Sequence, residues 1–281
     1  MRPPKPHRRR VRRGAYLLPS AFTIGNMLLG FYALVLGLRG TRLPYANDVT
    51  PYFAGDPGAF QKAALLVFAA ALLDSIDGRI ARLTGTESAF GKEFDSLADA
   101  ATFGMVPALL TYLWGLHTLG RMGWLVPLFF FVCTATRLAR FNVQAALPAS
   151  DRWFVGLPAP AAAGAVCSLL FVVPDSEWRP WLNGLLLATL IVVGTLEVST
   201  FRYWSPKQIH FRRRWSYRAL LVLAAAILLI SFQPRLFFPV AAALYAVSGP
   251  LGWLTRRVRP GGTEPEAEAA AAGDEPQESP S

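Results

Sequence analysis

The feature of the sequence that most constrains its fold is a series of apolar runs, each about 18 to 24 residues long. A helix needs about 20 apolar residues to cross the hydrocarbon core of a bilayer. The runs predict eight membrane-spanning helices, near residues 16–38, 60–83, 93–117, 122–144, 157–174, 180–198, 216–232 and 236–255. Glycine and proline interrupt three of these runs, which bundles tolerate where neighbouring helices satisfy the freed backbone groups. We therefore expect an all-α, polytopic integral membrane helix bundle.

The distribution of positive charge predicts how these helices are oriented. The chain carries a net charge of +10, and 22 of its 28 Lys and Arg residues fall on one side of the eight predicted spans. Because Lys and Arg collect in cytoplasmic loops, we expect both termini and the loop after the second span in the cytosol. The chain is then a multi-pass protein of the plasma (cytoplasmic) membrane. Its basic segments act as orientation signals that can also contact anionic lipid headgroups, so no nucleic acid is expected as a partner.

Composition separates two terminal segments from the membrane domain. Residues 1–15 form a basic segment, and residues 16–259 contain all the apolar runs. The last segment, 260–281, holds 6 of the 18 acidic residues and no large apolar residue. Such a composition predicts a disordered tail, which the charge pattern places in the cytosol.

One strongly charged stretch, "DSIDGRIARLTGTESAFGKEFDSLAD" at residues 74–99, lies between the second and third spans. Asp74 and Asp99 each lie eight residues from the inner end of their span, a depth of about 12 Å at the helical rise per residue. Antiparallel packing would bring Asp74 level with Asp99, and Asp77 nearly level with Asp95. Helical periodicity places the two aspartates of each span on one face. The sequence thus predicts a group of four carboxylates just inside the cytosolic surface.

Four adjacent carboxylates repel one another at low dielectric and need a compensating charge. All-oxygen ligands suit hard cations, so we expect Mg²⁺, Mn²⁺ or Ca²⁺. Two such ions could bind the attacking and the leaving oxygen of a phosphoryl displacement. Gly78 and Ala81 keep the same face small, and Arg82 offers a planar fork for phosphate. The other charges of the stretch are interpreted as helix-end and loop ion pairs: Glu87, Lys92 and Glu93.

The stretch follows the pattern D-x2-D-G-x2-A-R-x8-G-x3-D-x3-D, from Asp74 to Asp99. This pattern resembles the motif of the CDP-alcohol phosphatidyltransferases. The resemblance implies that the four aspartates hold two divalent ions, Mg²⁺ or Mn²⁺, and that Asp99 is also the general base on the acceptor hydroxyl. It further implies that the CDP part of the substrate rests against four motif positions: Gly78, Ala81, Arg82 and Gly91. Arg82 would also stabilise charge on the phosphates.

Further strings extend the resemblance to the phosphatidylserine synthase branch of that family. They are "LPSAFTIGNMLLGF" at 18–31, "DSLADAATFGMVPA" at 95–108, "TRLARFN" at 136–142, "GLPAPAAAG" at 156–164 and "VSTFRYWSPK" at 198–207. This branch implies CDP-diacylglycerol and L-serine as substrates, phosphatidylserine and CMP as products, and a homodimer.

Four polar residues in these strings are candidates for substrate contact. Asn26 lies in an otherwise apolar span, and its amide predicts either an interhelical hydrogen bond or a contact with CDP-diacylglycerol. Arg137 and Arg140 lie one turn apart at the inner end of the fourth span. They can face the carboxylate of serine or a lipid phosphate, or simply anchor the span in the membrane. We group Asn142 with them as a candidate for binding serine.

Three alternatives stay open at this point. The same reaction class includes enzymes that use glycerol 3-phosphate or inositol as the acceptor. An intramembrane prenyltransferase would need a second aspartate-rich pair, which the remaining acidic residues do not provide. A cation transporter would need polar residues that continue across the bilayer, whereas the outer halves of the second and third spans are apolar.

Overall fold

The structure is a computed structural model, and it describes residues 17–41, 56, 58–84, 89–145, 154–173, 180–203 and 232–258. The described chain is helical almost throughout. Its α-helices are α1 (Leu17–Gly40), α2 (Ala59–Thr84), α3 (Ala89–Asp99), α4 (Val106–Trp114), α5 (Gly120–Ala145), α6 (Ala159–Val172), α7 (Pro180–Val198) and α8 (Pro234–Val258). A π-helical segment, Ala100–Met105, joins α3 to α4, and a 3₁₀ turn, Leu116–Leu119, precedes α5.

The first two helices form a closely packed pair. α1 packs along α2 and also contacts α3, the π-helical segment and α4. A Cβ at Gly40 would lie 2.9 Å from the side chains of both Ala59 and Phe60, so α1 can approach α2 here only because it presents a glycine. Ala63 and Ala64 continue the buried face of α2. Small residues thus bring α1 alongside the helix that carries the first half of the charged stretch.

The third predicted span is one continuous helix that contains a π-helical segment near its middle. α3 passes into the π-helical segment directly after Asp99, and the N–H of Val106 bonds to the carbonyl of Ala101, five residues earlier. Pro107 follows at the start of α4, and its ring nitrogen has no proton to donate to the preceding turn. Single π-helical turns inside α-helices frequently occur at functional sites.

The second half of the bundle is closed by a short strand pairing. α5 packs on α7, and α6 packs on both α2 and α8. The strands β1 (Phe154–Val155) and β2 (Arg202–Tyr203) pair antiparallel, which joins the chain before α6 to the chain after α7. Tyr203 is fully buried, and its hydroxyl donates to the carbonyl of Ala246 on α8 at 3.0 Å. Burial raises the pKa of Tyr203 to about 12, so the phenol stays protonated and keeps this bond.

Six described helical stretches are long and apolar enough to cross a membrane: Ala21–Gly40, Ala59–Ile76, Phe90–Trp114, Leu116–Gln144, Trp181–Val198 and Pro234–Thr255. The fifth predicted span is a shorter apolar helix of 14 residues, α6. The seventh predicted span, 216–232, lies outside the described residues except for Phe232, and so do the terminal segments 1–15 and 260–281. The all-helical, multi-pass bundle is confirmed, and the count of eight spans stays a prediction.

Candidate active site

Three of the four predicted ligands converge where α2 meets α3. Asp74 lies on α2, and Asp95 and Asp99 lie one turn apart on α3. One carboxylate oxygen from each of the three lies within 4.8 Å of the other two. We call these three residues the carboxylate cluster. Their side chains are half-buried, so their mutual repulsion is screened less than it would be in bulk water.

The remaining motif residues lie on the same two helices. Gly78 lies one turn beyond Asp74 on α2, and Gly91 lies one turn before Asp95 on α3. Three further motif residues belong to α2, but their side chains lie outside the described part of the chain: Asp77, Ala81 and Arg82. The helix backbone alone places them within about two turns of Asp74.

α1 contributes an amide that reaches the cluster. Asn26 is fully buried, and its Nδ2 donates to Oδ1 of Asp99 at 3.5 Å. The backbone carbonyl of Asn26 accepts from the hydroxyl of Thr102 in the π-helical segment, also at 3.5 Å. A Cβ at Gly30 would lie 2.9 Å from Oγ1 of Thr102, so α1 and this segment are in close contact. The complete burial of Asn26 favours an interhelical hydrogen bond that orients Asp99 over direct contact with substrate.

The three candidates for binding serine lie on α5 in different surroundings. Arg137 is only 9% exposed, and its charge interacts with that of Asp99 in the carboxylate cluster. Arg140, one turn further on, is half-buried. Asn142 donates from Nδ2 to Oγ of Ser96 on α3 at 3.0 Å, so it ties α5 to α3. The structure therefore places Arg137 within electrostatic range of the cluster and gives the amide of Asn142 a partner within the protein.

One acidic residue outside the motif also lies at this end of the bundle. Glu197, near the end of α7, is 1% exposed, and its Oε2 accepts a hydrogen bond from Oγ1 of Thr134 on α5 at 2.8 Å. The charge of Glu197 interacts with that of Arg137. Reasoning from the aspartate motif missed both Glu197 and Thr134. The signal that could have found Glu197 is its position as a lone acid in the apolar run 180–198.

The arrangement suits a divalent cation and a substrate that carries phosphate. Carboxylate oxygens are the ligands that hard divalent ions prefer, and three of them lie close enough together to share one. The carboxylate cluster could therefore hold a divalent metal ion. Asp99 combines this position with an oriented carboxylate, which is what a general base requires.

The family model for CDP-alcohol phosphatidyltransferase matches residues 16–196, a range that contains the whole carboxylate cluster. A Helicobacter pylori (strain J99) protein named CDP-diacylglycerol–serine O-phosphatidyltransferase is 34% identical over 249 residues, which cover 87% of this chain and 94% of the relative. The Bacillus subtilis (strain 168) protein of the same name is 32% identical over 197 residues, 70% of this chain and 92% of the relative. A Mycobacterium tuberculosis (strain H37Rv) protein of that name is 37% identical over 193 residues, 66% of this chain and 60% of the relative.

The family match covers more than half of the chain and runs from α1 to the end of α7. It includes the two helices that bring the aspartates together and the helix that carries Arg137. The resemblance first indicated by the aspartate spacing is thereby confirmed: the chain belongs to the CDP-alcohol phosphatidyltransferase family.

Proposed function

We propose that this protein transfers the phosphatidyl group from CDP-diacylglycerol to the hydroxyl of L-serine, releasing phosphatidylserine and CMP. The observation that carries the proposal is the convergence of Asp74, Asp95 and Asp99 within 4.8 Å in a bundle of this family. The choice of serine is supported by the names of relatives that align over most of the chain.

The proposed metal ligands are the carboxylate cluster together with Asp77. Four carboxylates would balance two divalent ions, and Mg²⁺ or Mn²⁺ suits an all-oxygen site. Such ions supply electrostatic stabilisation of the phosphate oxygens during a displacement. The protein's own contribution is to hold the ligands on two helices that both pack against α1, which keeps their separation fixed before substrate arrives.

The reaction that this geometry supports is a direct displacement at phosphorus. The serine hydroxyl forms a bond to the phosphorus that carries diacylglycerol, and the bond from that phosphorus to the bridging oxygen of the diphosphate breaks. CMP leaves with the bridging oxygen, so no covalent enzyme intermediate is needed. Asp99 accepts the hydroxyl proton, and the amide of Asn26 orients its carboxylate.

The substrate contacts are proposed along both helices of the motif. The CDP part would lie against Gly78 and Gly91, where the absence of a side chain leaves the backbone accessible. Ala81 would extend the small surface, and Arg82 would bind phosphate. Among the candidates for binding serine, Arg137 is favoured because its charge already interacts with the carboxylate cluster. Arg140 and Asn142 would line the approach from the cytosol.

Release of CMP from purified protein tests this proposal. CDP-diacylglycerol is supplied with Mg²⁺ or Mn²⁺ and, in turn, with serine, glycerol 3-phosphate or inositol. We expect CMP to be released with serine but not with glycerol 3-phosphate or inositol. Release should stop in EDTA and recover when the metal is restored. Release with another acceptor instead of serine would overturn the substrate assignment. Full turnover in EDTA would overturn the metal assignment.

We also propose eight spans in the plasma membrane, with both termini and the active site in the cytosol. The asymmetric distribution of Lys and Arg supports this orientation. Cys133 and Cys167 are buried, so the thiol reagent should label an introduced cysteine with little background from these two native cysteines. An impermeant thiol reagent applied to intact cells should label Thr118→Cys, at the exposed position of the 3₁₀ turn, but not Gly85→Cys, between α2 and α3. The opposite labelling pattern would invert the topology.

A homodimer is the last part of the proposal, and it is supported by the family resemblance alone. Cross-linking of two differently tagged copies in the membrane tests it. Recovery of both tags together is the expected result, and separation of the tags at every expression level would contradict it.

A further inference from the structure

The buried carboxylate of Glu197 is not explained by the aspartate motif. It is 1% exposed, its Oε2 accepts from Thr134 at 2.8 Å, and among the described residues its Oε1 has no hydrogen-bond partner. A carboxylate in such a place is unfavourable unless a positive charge compensates it.

The compensating charge is on the neighbouring helix. Arg137 lies one turn after Thr134 on α5 and is 9% exposed. Its strongest electrostatic partner is Glu197, followed by Asp99, while Tyr245 and Asp74 interact more weakly. Arg137 is therefore within electrostatic range of both the buried glutamate and the carboxylate cluster.

The polar atoms of these two side chains are complementary. Nε of Arg137 is a buried donor, and Oε1 of Glu197 is a buried acceptor; neither has a partner among the residues described. A guanidinium that gives Nε–H to one carboxylate still has both terminal nitrogens for a second one. The two side chains form no direct hydrogen bond here, so Glu197 attracts one edge of Arg137 by its charge while the other edge stays available to a ligand.

We propose that Glu197 is a positioning residue that holds the guanidinium of Arg137 ready for the carboxylate of an amino-acid acceptor. Without its charge, Arg137 would be drawn toward Asp99 and Asp74, the next carboxylates that it meets. Thr134 fixes Glu197 by its hydrogen bond to Oε2. This inference rests on the proposed function and assigns an acceptor-selecting role to residues outside the aspartate motif.

The variant Glu197→Gln tests the inference because it removes the charge and keeps the size of the side chain. With CDP-diacylglycerol saturating, we expect KM for serine to rise about tenfold, the scale of one lost charge-assisted hydrogen bond. KM for CDP-diacylglycerol should stay unchanged, since the contacts proposed for the lipid substrate lie on α2 and α3. An unchanged KM for serine in folded Glu197→Gln protein would overturn the proposal.

A matched control lies on the same helix. Asn183 is 2% exposed, and its Nδ2 also lacks a partner among the described residues, but it lies 14 residues before Glu197, at the far end of α7. Asn183→Leu should change the melting temperature without moving KM for serine. An equal rise in KM in both variants would show a merely structural role for Glu197 and overturn the inference.

Two further variants keep the test decisive if Glu197→Gln accumulates poorly. Thr134→Val retains the charge and frees Oε2, so KM for serine should rise a few-fold. In a double variant, Glu197→Gln should add nothing to Arg137→Ala, because Glu197 acts through Arg137. Additive effects would overturn the inference. Failure of the proposed function looks different: the unaltered protein would then release no CMP with serine at all.

Discussion

At the end of the bundle that holds the carboxylate cluster, Arg137 and Glu197, charged side chains from four helices lie inside the protein. At the opposite end, which we call the capped end, the cation Arg39 is half-buried, and the fully buried polar side chains described here are neutral, among them Thr41, Thr111, Trp114 and Asn183. Most of these bond to backbone carbonyls, as in Trp114 Nε1 to Val173 at 2.9 Å. The ion pair at the capped end, Lys62 with Asp56 at 3.6 Å, has side chains 59% and 43% exposed.

This difference teaches which polar groups serve the fold and which serve the chemistry. A neutral side chain bonded to a backbone carbonyl contributes roughly 1 kcal/mol, whether the carbonyl lies in its own helix, as for Thr111, or on another element, as for Trp114. An exposed ion pair contributes little. Several buried charges in one place oppose stability, so their presence at the carboxylate end is explained by what they bind. Substitutions at the two ends should therefore separate activity from stability.

The largest difference in activity between substitutions at the two ends is expected for Asp99. Asp99→Asn should lower kcat by at least about 10², the lower end for loss of a general base, while CDP-diacylglycerol still binds. At the capped end, Thr111→Val should leave kcat unchanged. CMP release at saturating substrates measures both.

The asparagine also weakens a proposed metal ligand, and metal concentration separates the two roles. A lost ligand is partly restored by excess Mg²⁺ or Mn²⁺, whereas a lost base is not. A near-normal kcat for Asp99→Asn would show that another residue is the general base. The predicted difference in activity between substitutions at the two ends would then be wrong.

The next effect concerns the arginines of α5. Arg137→Ala should raise KM for serine by tens to hundreds of fold, because the carboxylate of bound serine would lose its cationic partner. Removal of one partner from a buried charge pair costs a few kcal/mol. Arg140 is half-buried, so Arg140→Ala should have the smaller effect. KM for CDP-diacylglycerol should change little in both. Loss of lipid-substrate affinity with an unchanged KM for serine would instead assign these arginines to phosphate.

Much of the carboxylate end could be predicted from the sequence. The spacing of Asp74, Asp95 and Asp99 across two antiparallel helices predicts their convergence, because the helical rise and period are fixed. Apolar run length likewise predicted the bundle. Both inferences depend on local, regular geometry, and the structure brings the three aspartates together as that geometry requires.

The features that were not predicted depend on long-range packing or local irregularity. Thr134 and Glu197 meet although 63 positions separate them in the chain, and no periodicity links α5 to α7. The π-helical segment begins directly after Asp99 and departs from the regular helical period assumed for the rest of the third span. The amide of Asn26 left two roles open in the sequence, and only its burial and its contact with Asp99 favour one.

A smaller effect is expected where α1 supports the carboxylate end. In Gly30→Ala, the new Cβ would lie 2.9 Å from Oγ1 and 3.0 Å from Cγ2 of Thr102, so α1 and the π-helical segment must separate slightly. Displacement of Asn26 and Asp99 should lower kcat by about tenfold, since small misplacements of catalytic groups are costly. Adding Thr102→Ala removes the two closest contacting atoms, leaves Cβ of residue 102 at 3.3 Å, and should restore part of the rate relative to Gly30→Ala alone. If kcat of the double variant did not recover, the packing of α1 against the π-helical segment would not position Asp99.

The smallest effect on activity is expected at Thr41, on the capped end. Its hydroxyl donates to the carbonyl of Gly37 at 2.8 Å and lies 3.3 Å from the carbonyl of Leu113 on α4, so it joins α1 to α4 away from the carboxylate cluster. Thr41→Val keeps the shape and removes the bond, which should cost about 1 kcal/mol of stability. Thermal unfolding in detergent should shift down by a few degrees, while kcat and both KM values stay unchanged. A change in KM for serine without a change in stability would show that the two ends are coupled, and the division of roles between them would then be wrong.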